Sequence, residues 1–202
     1  MKLWAKRATH TAGVLVAAAG LALAASAPAS AAPPNTATGL KATGLIPANP
    51  LVASAFPGTS PNHAASLNLP PLLTTGAVDT AAGPTTASAT VSGLNISLSP
   101  LASLTAGTLT SNCSYNSVTG VVSADSNIEN GKVVLLGTPI FLTPHPTPNT
   151  TLTLPGLATL ILNRQTTGPD GTVTVDALSV SLVSGLENVV LATSTCNAAT
   201  LS

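Results

Sequence analysis

Between Thr86 and Leu98 the chain alternates small apolar side chains with polar ones: Ala87, Ala89 and Val91, then Leu94, Ile96 and Leu98. Strand side chains point alternately to opposite faces, so this two-residue period describes a half-buried β-strand. The alternation slips by one at Gly93. That slip predicts a β-bulge, in which one extra residue lets both apolar sets face the same side. The segment 172–183 repeats the device. Val173 and Val175 alternate with Thr, Asp176-Ala177 shifts the phase, and Leu178, Val180 and Leu182 resume it.

Shorter strands with turn chemistry lie between and after these two. Val133-Val134-Leu135-Leu136 runs through Gly137-Thr138 into Pro139-Ile140-Phe141-Leu142. Glycine at the first loop position suits a type II′ hairpin, with Pro139 on an edge. Pro155-Gly156 between two alternating runs is the signal of a type II turn, and Asn130-Gly131 and Pro169-Asp170-Gly171 mark two more turns. A last strand covers Val189 to Thr195. Six prolines between Pro47 and Pro71 predict a long irregular loop, and Thr143–Pro148 a shorter one. Strands at near-regular spacing, without crossover helices, predict an all-β antiparallel sandwich of one domain over 32–202. A β-solenoid is the alternative, although no repeat period is present.

The amino terminus reads as a Sec signal peptide over residues 1–31. Lys2, Lys6 and Arg7 precede an uncharged stretch from Ala12 to Ala25, and Ala29-Ser30-Ala31 fits an A-x-A site cut before Ala32. Export places the mature chain outside the cytoplasm, with no integral membrane span of its own. Cys113 and Cys196 then read as a disulfide. Closing the long loop between them would stabilise by about 4–5 kcal/mol in the loop-entropy model.

Beyond the signal, Lys41, Lys132 and Arg164 face six acids, a net charge of −3. So weak and scattered a charge excludes electrostatic binding of nucleic acid. Aromatic residues are 2% of the chain, so the core must come from Val, Leu, Ile and Ala. Sugar stacking, and with it a lectin-like role, is disfavoured.

No cofactor is expected, and no G-x-S-x-G or H-E-x-x-H motif is present. His63 and His145 lie in proline-rich segments, where solvent-exposed loop histidines are the expectation. Asp125, Asn127 and Glu129 place oxygen ligands at alternate positions, a weak candidate for calcium. The residues after them fail the EF-hand pattern: Gly131 falls at the seventh place and Leu136 at the twelfth.

One resemblance spans nearly the whole mature chain. Its residues are Gly39-Leu40-Lys41-Ala42-Thr43-Gly44-Leu45, the strand Ala87–Leu98, Cys113, the run from Pro148 to Gly156, Leu160-Ile161-Leu162-Asn163-Arg164-Gln165 and Val173–Val180. This order resembles the choice-of-anchor P family of actinobacterial exported proteins. The resemblance implies location at or beyond the cell surface and no chemistry. Arg164 stands where the family often has an acid, and Ser179 where it often has a histidine. The six residues after Cys196 carry no L-P-x-T-G, so free or non-covalently held protein is expected.

The functional expectation is a non-enzymatic secreted or cell-surface structural or adhesive protein. Its partner would be a cell-wall component, another secreted protein or a second copy. The alternative is a secreted binding module or protease inhibitor presenting 47–71 or 143–148; a hydrolase using His63 or His145 ranks last.

Overall fold

The computed structural model describes residues 34–182, 185 and 187–197. The expected signal peptide and its cleavage residues Ala29, Ala31 and Ala32 lie outside them. Among the described residues all regular structure is β, in two antiparallel sheets that do not close into a barrel. The first sheet runs β12 (Thr150–Leu154), β13 (Ala158–Thr167), β14 (Val173–Leu182), β15 (Glu187–Cys196), β1 (Asn35–Gly44), β2 (Ala48–Phe56). The second is centred on two long strands, β7 (Thr86–Ser99) and β8 (Ala102–Asn116). Along the outer side of β8 lie β9 (Val121–Glu129) and β10 (Lys132–Leu135), and β11 (Thr138–Phe141) pairs with β10. Along the outer side of β7 lie β5 (Leu73–Thr75) and β6 (Val78–Ala82), flanked by β4 (Leu67–Leu69) and β3 (Asn62–Ala64).

Several local expectations change. Residues 47–71 are not an irregular loop: β2, β3 and β4 lie in them, and the prolines sit at strand ends or at the sheet edge, where no ladder donor is needed. Asn130-Gly131 does not reverse the chain. Thr105 pairs with Lys132 and Thr108 with Glu129, so β9 and β10 continue one line along β8. The hairpin after β10 turns on Leu136 and Gly137, both at positive φ (51° and 81°), the type I′ geometry and not II′. Pro155-Gly156 does form its turn, with Gly156 at φ 72° and a bond from the Leu157 amide to the Leu154 carbonyl.

The phase slips are real, but they are not bulges. Ala87, Ala89, Val91, Leu94, Ile96 and Leu98 all join one core. Yet β7 and β8 keep a single register across the slip: Ser92 pairs with Thr108 and Leu94 with Ala106. Gly93 takes φ 58° instead, the left-handed region that only glycine enters cheaply. Facing it are Gly107 on one side and Gly76 on the other, and beyond Gly107 stands Asn130 at φ 52°. The first sheet repeats the pattern. Asn163 (φ 50°), Ala192 (φ 50°) and Val52 (φ 53°) alternate across it with Ala177 and Gly39. Each sheet thus inverts its pleat along one line, with left-handed residues on alternate strands and glycine or alanine between them. No residue is added along these lines, so the ladders stay in step through them; the register shifts lie elsewhere, between Leu40 and Ala42 on β1–β2 and between Ser97 and Ser99 on β7–β8.

The sheets pack face to face, β15 against β7 and β8, β14 against β8 and β9, and β1 against β6 and β7. Their shared core is aliphatic, led by Leu40, Leu104, Leu109, Leu160, Leu178 and Leu191, each fully buried. Where other sandwiches insert aromatic rings, this one bridges its sheets with hydroxyls. Ser111 Oγ lies 2.7 Å from Ser194 Oγ, and Ser54 Oγ lies 2.8 Å from Thr80 Oγ1, both pairs buried. Two residues beyond the first pair, Cys113 and Cys196 form the expected disulfide between β8 and β15, with Cα atoms 5.9 Å apart. Asn35 secures the same end of β15 from the side of β1. Its amide donates to the Gly83 and Pro84 carbonyls at 2.9 and 3.0 Å, and its Oδ1 accepts from the Asn197 amide at 2.8 Å.

Candidate functional site

At the end of the sandwich where β1 leads to β2 and β7 to β8, the described residues border a cleft of about 980 Å³. That is near the upper size of ligand-binding clefts. Leu45 and Ile46 come from the β1–β2 connection and Leu72 from before β5. Leu101 comes from the β7–β8 turn and Leu136 from the β10–β11 turn. The type I′ turn holds Leu136 in the left-handed region, where its side chain stands 71% exposed; Leu45 and Leu101 are 72% and 65% exposed. Three leucines in water around one opening form an apolar rim, the kind of patch that marks an interaction site.

The floor is different. Glu187, the first residue of β15, is 4% exposed and is the single charged side chain among the described lining residues. Its Oε2 accepts the Ile46 amide at 3.0 Å, and its Oε1 is buried without a hydrogen-bond partner. Leaving a buried carboxylate oxygen unpaired costs several kcal/mol of desolvation.

Sequence reasoning placed the last strand from Val189 and passed over Glu187. One signal was available: Glu187, Val189 and Leu191 share a two-residue phase, and all three are buried. A lone acid at a strand start has no motif, so only the folded chain shows what it faces.

The residues singled out from sequence are scattered. His63 and Asp79 pair across β3 and β6 with Nδ1 2.6 Å from Oδ1, side chains 58% and 60% exposed. Thr90 is the next partner across the sheet. In this row the aspartate stands between histidine and hydroxyl. A nucleophile relay needs the histidine in the middle, so the row does not form one. His145 is exposed in the 143–149 loop, apart from these strands.

Asp125, Asn127 and Glu129 lie along β9 and not in a turn. Five extended residues hold the end carboxylates roughly 13 Å apart, too far for ligands that must each reach one calcium at about 2.3–2.6 Å. Asp125 lies 3.5 Å from the Asn112 amide nitrogen, and Glu129 accepts from Asn127 at 3.3 Å. Among the described residues no group of three or more His, Cys, Asp or Glu is placed to hold a metal.

On the outer face of the first sheet, Asp176 is buried under Arg164 and Thr193. Arg164 Nη2 reaches its Oδ2 at 2.6 Å, and the Thr193 hydroxyl donates to its Oδ1 at 2.6 Å. The position where Arg164 departs from the resembled family is therefore an internal ion pair. Ser179 is buried in the same strand as Asp176, 1% exposed.

No protein-family model matches this chain, and no curated protein or solved structure matches it either.

Proposed function

We propose that this is a non-enzymatic exported protein of the cell surface or medium, which works by binding an apolar partner at the end cleft. The leucine-rimmed opening over Glu187 is the observation that carries this reading. A two-sheet scaffold closed by a disulfide suits life in an oxidising compartment, and binding loops borne on a rigid scaffold are a common arrangement. The actinobacterial choice-of-anchor P resemblance and the signal peptide support the location. Among the described residues no helix is long and apolar enough to cross a membrane. The adhesive partner would be a wall component, another secreted protein or a second copy.

Fractionation of the native host with an antibody tests the proposal. Wild-type protein is expected to remain with the envelope or with one stoichiometric partner. A variant carrying Leu45→Ser, Leu101→Ser and Leu136→Ser is expected in the free, monomeric fraction. Identical partitioning of the two would refute the role of the cleft.

A second reading, a protease inhibitor, draws on the 143–149 loop. The Pro144 carbonyl accepts the Ile128 amide at 2.8 Å and the Pro146 carbonyl accepts the Asn163 side chain at 2.9 Å. His145 is thereby presented outward between two anchored residues. Inhibition assays against a protease panel with wild type and His145→Gly separate this reading from the first.

A further inference from the structure

A second hollow straddles the line along which the first sheet inverts its pleat, on the outer face. Across that line the outward side chains are Lys41 and Thr38 on β1, Val190 and Thr193 on β15, and Ser179 and Asp176 on β14. Each pair is three residues apart, roughly 10 Å, where an unbroken strand would space them roughly 7 Å apart. The hollow holds about 290 Å³; Lys41 and Val190 border it from one side of the line, Arg164, Asp176 and Thr193 from the other.

Its charges are few. Among its described lining residues only Lys41, Arg164 and Asp176 are charged, a net charge of 2 − 1 = +1. Asp176 is neutralised in place. Arg164 Nε and Nη2 reach its Oδ2 at 2.7 and 2.6 Å, and the Thr193 hydroxyl donates to its Oδ1. The Nη1 end of the guanidinium has no partner among the described residues, and neither has the exposed Lys41 ammonium. Lys41 therefore carries the uncompensated charge, while Arg164 adds free donors. Their strands, β1 and β13, are three spacings apart across the sheet, about 14 Å. That length suits an extended chain and not a compact ion.

We infer that the hollow binds a polyol phosphodiester, an open chain of hydroxyl-bearing carbons with one negative charge per linkage. The phosphodiester sits at Lys41, and the chain crosses β15 and β14 toward Arg164. A single negative charge balances the local +1, and a charge-assisted bond to an ammonium is stronger than a neutral one. Thr166, Thr174 and Thr193 supply hydroxyls that donate or accept, so they pair with the hydroxyls of the chain. A uronic acid sugar carries the same charge but also a ring face. No aromatic side chain is among the described lining residues to stack on that face, and an open-chain polyol needs none. The hollow shares no described lining residue with the end cleft, and this assignment does not rest on that cleft.

The experiment is an NMR titration of the full chain, with its disulfide formed, against three probes. Glycerophosphoglycerol is the phosphodiester, diglycerol the neutral polyol, and methyl glucuronide the same charge on a ring. Glycerophosphoglycerol is expected to shift the amides of Lys41, Val190 and Thr193 and to bind at least about threefold more tightly than either other probe. Lys41→Gln is expected to bring it down to about the diglycerol affinity. Lys132→Gln, on β10 of the second sheet, is expected to leave it unchanged.

Shifts confined to other parts of the molecule, or equal affinity for diglycerol, overturn the site. Methyl glucuronide binding as tightly overturns the choice of an open-chain phosphodiester. Undiminished binding by Lys41→Gln overturns the placing of the charge. The comparison of probes on wild type needs no variant, and none of these results bears on the end cleft, which has its own test.

Discussion

Replacing Gly39 with alanine drives a methyl group into the opposite sheet. Gly39 sits in the middle of β1, and a methyl group there would lie well inside van der Waals contact of Val78 Cγ1 on β6, in the opposite sheet. It would also lie 3.3 Å from the Leu51 carbonyl oxygen and 3.5 Å from Val52 Cβ, so it cannot lean toward β2 for relief. Val78 is fully buried and, being β-branched, has little rotamer freedom to yield.

Overpacking of this kind costs about 1–3 kcal/mol, and the absence of a soft neighbour puts Gly39→Ala near 2 kcal/mol. For a domain of this size that lowers Tm by about 4–8 °C. Val78→Ala alone removes two buried methyls, a loss of about 2 kcal/mol with the cavity included. In the double variant the new methyl occupies the space Val78 vacates. The combined loss is expected to be about 2–3 kcal/mol, short of the sum by roughly 1–2 kcal/mol. Urea unfolding of the four proteins with the disulfide intact measures this cycle, with constant slope m as the check that compactness is unchanged. A Gly39→Ala loss below about 0.5 kcal/mol, or strict additivity, would refute the packing argument.

Three further outcomes are expected. Cys113→Ala with Cys196→Ala opens a loop of 83 residues between β8 and β15 and should cost about 4–5 kcal/mol in urea unfolding; a loss under about 1 kcal/mol would show that the bond does not constrain the unfolded chain. Asn35→Ala removes three hydrogen bonds that join the start of β1 to the β6–β7 turn and to Asn197; about 2–3 kcal/mol of stability should go with them, and an unchanged urea midpoint would contradict their importance. The Thr172 hydroxyl and then its backbone amide donate to Asp170 and hold that carboxyl below its ordinary value. A carboxylate depressed in the folded state stabilises above its unfolded pKa of about 3.9 and loses that contribution as pH falls through the folded value. Thr172→Val should raise the Asp170 midpoint in a carboxyl-carbon NMR titration, and an unmoved midpoint would reject the side-chain bond as the main cause.

Period and composition reached far into this fold. Alternating aliphatic and hydroxyl residues in 86–98 and 172–183 describe half-buried strands because a strand turns each successive side chain over, and those segments are the central β7 and β14. The pairing of Cys113 with Cys196 was legible because the chain has only two cysteines. The phase slips at Gly93 and Asp176-Ala177 were legible too, but not their cause. One extra residue and one left-handed residue leave the same mark on a single strand. Neighbouring strands distinguish them, because only the paired register shows that no residue was added.

The hydroxyl rungs Ser111–Ser194 and Ser54–Thr80 were hidden among many serines and threonines, since burial and not residue type makes them special. The cleft was hidden most completely. Its leucines come from four connections far apart in sequence, and Glu187 faces them only because β15 begins beside the end of β1. Local periodicity decides which residues become strands and which faces turn inward. Which loops meet at one end of the sandwich, and which buried carboxylate oxygen has no donor there, is decided by the packing of one sheet on the other.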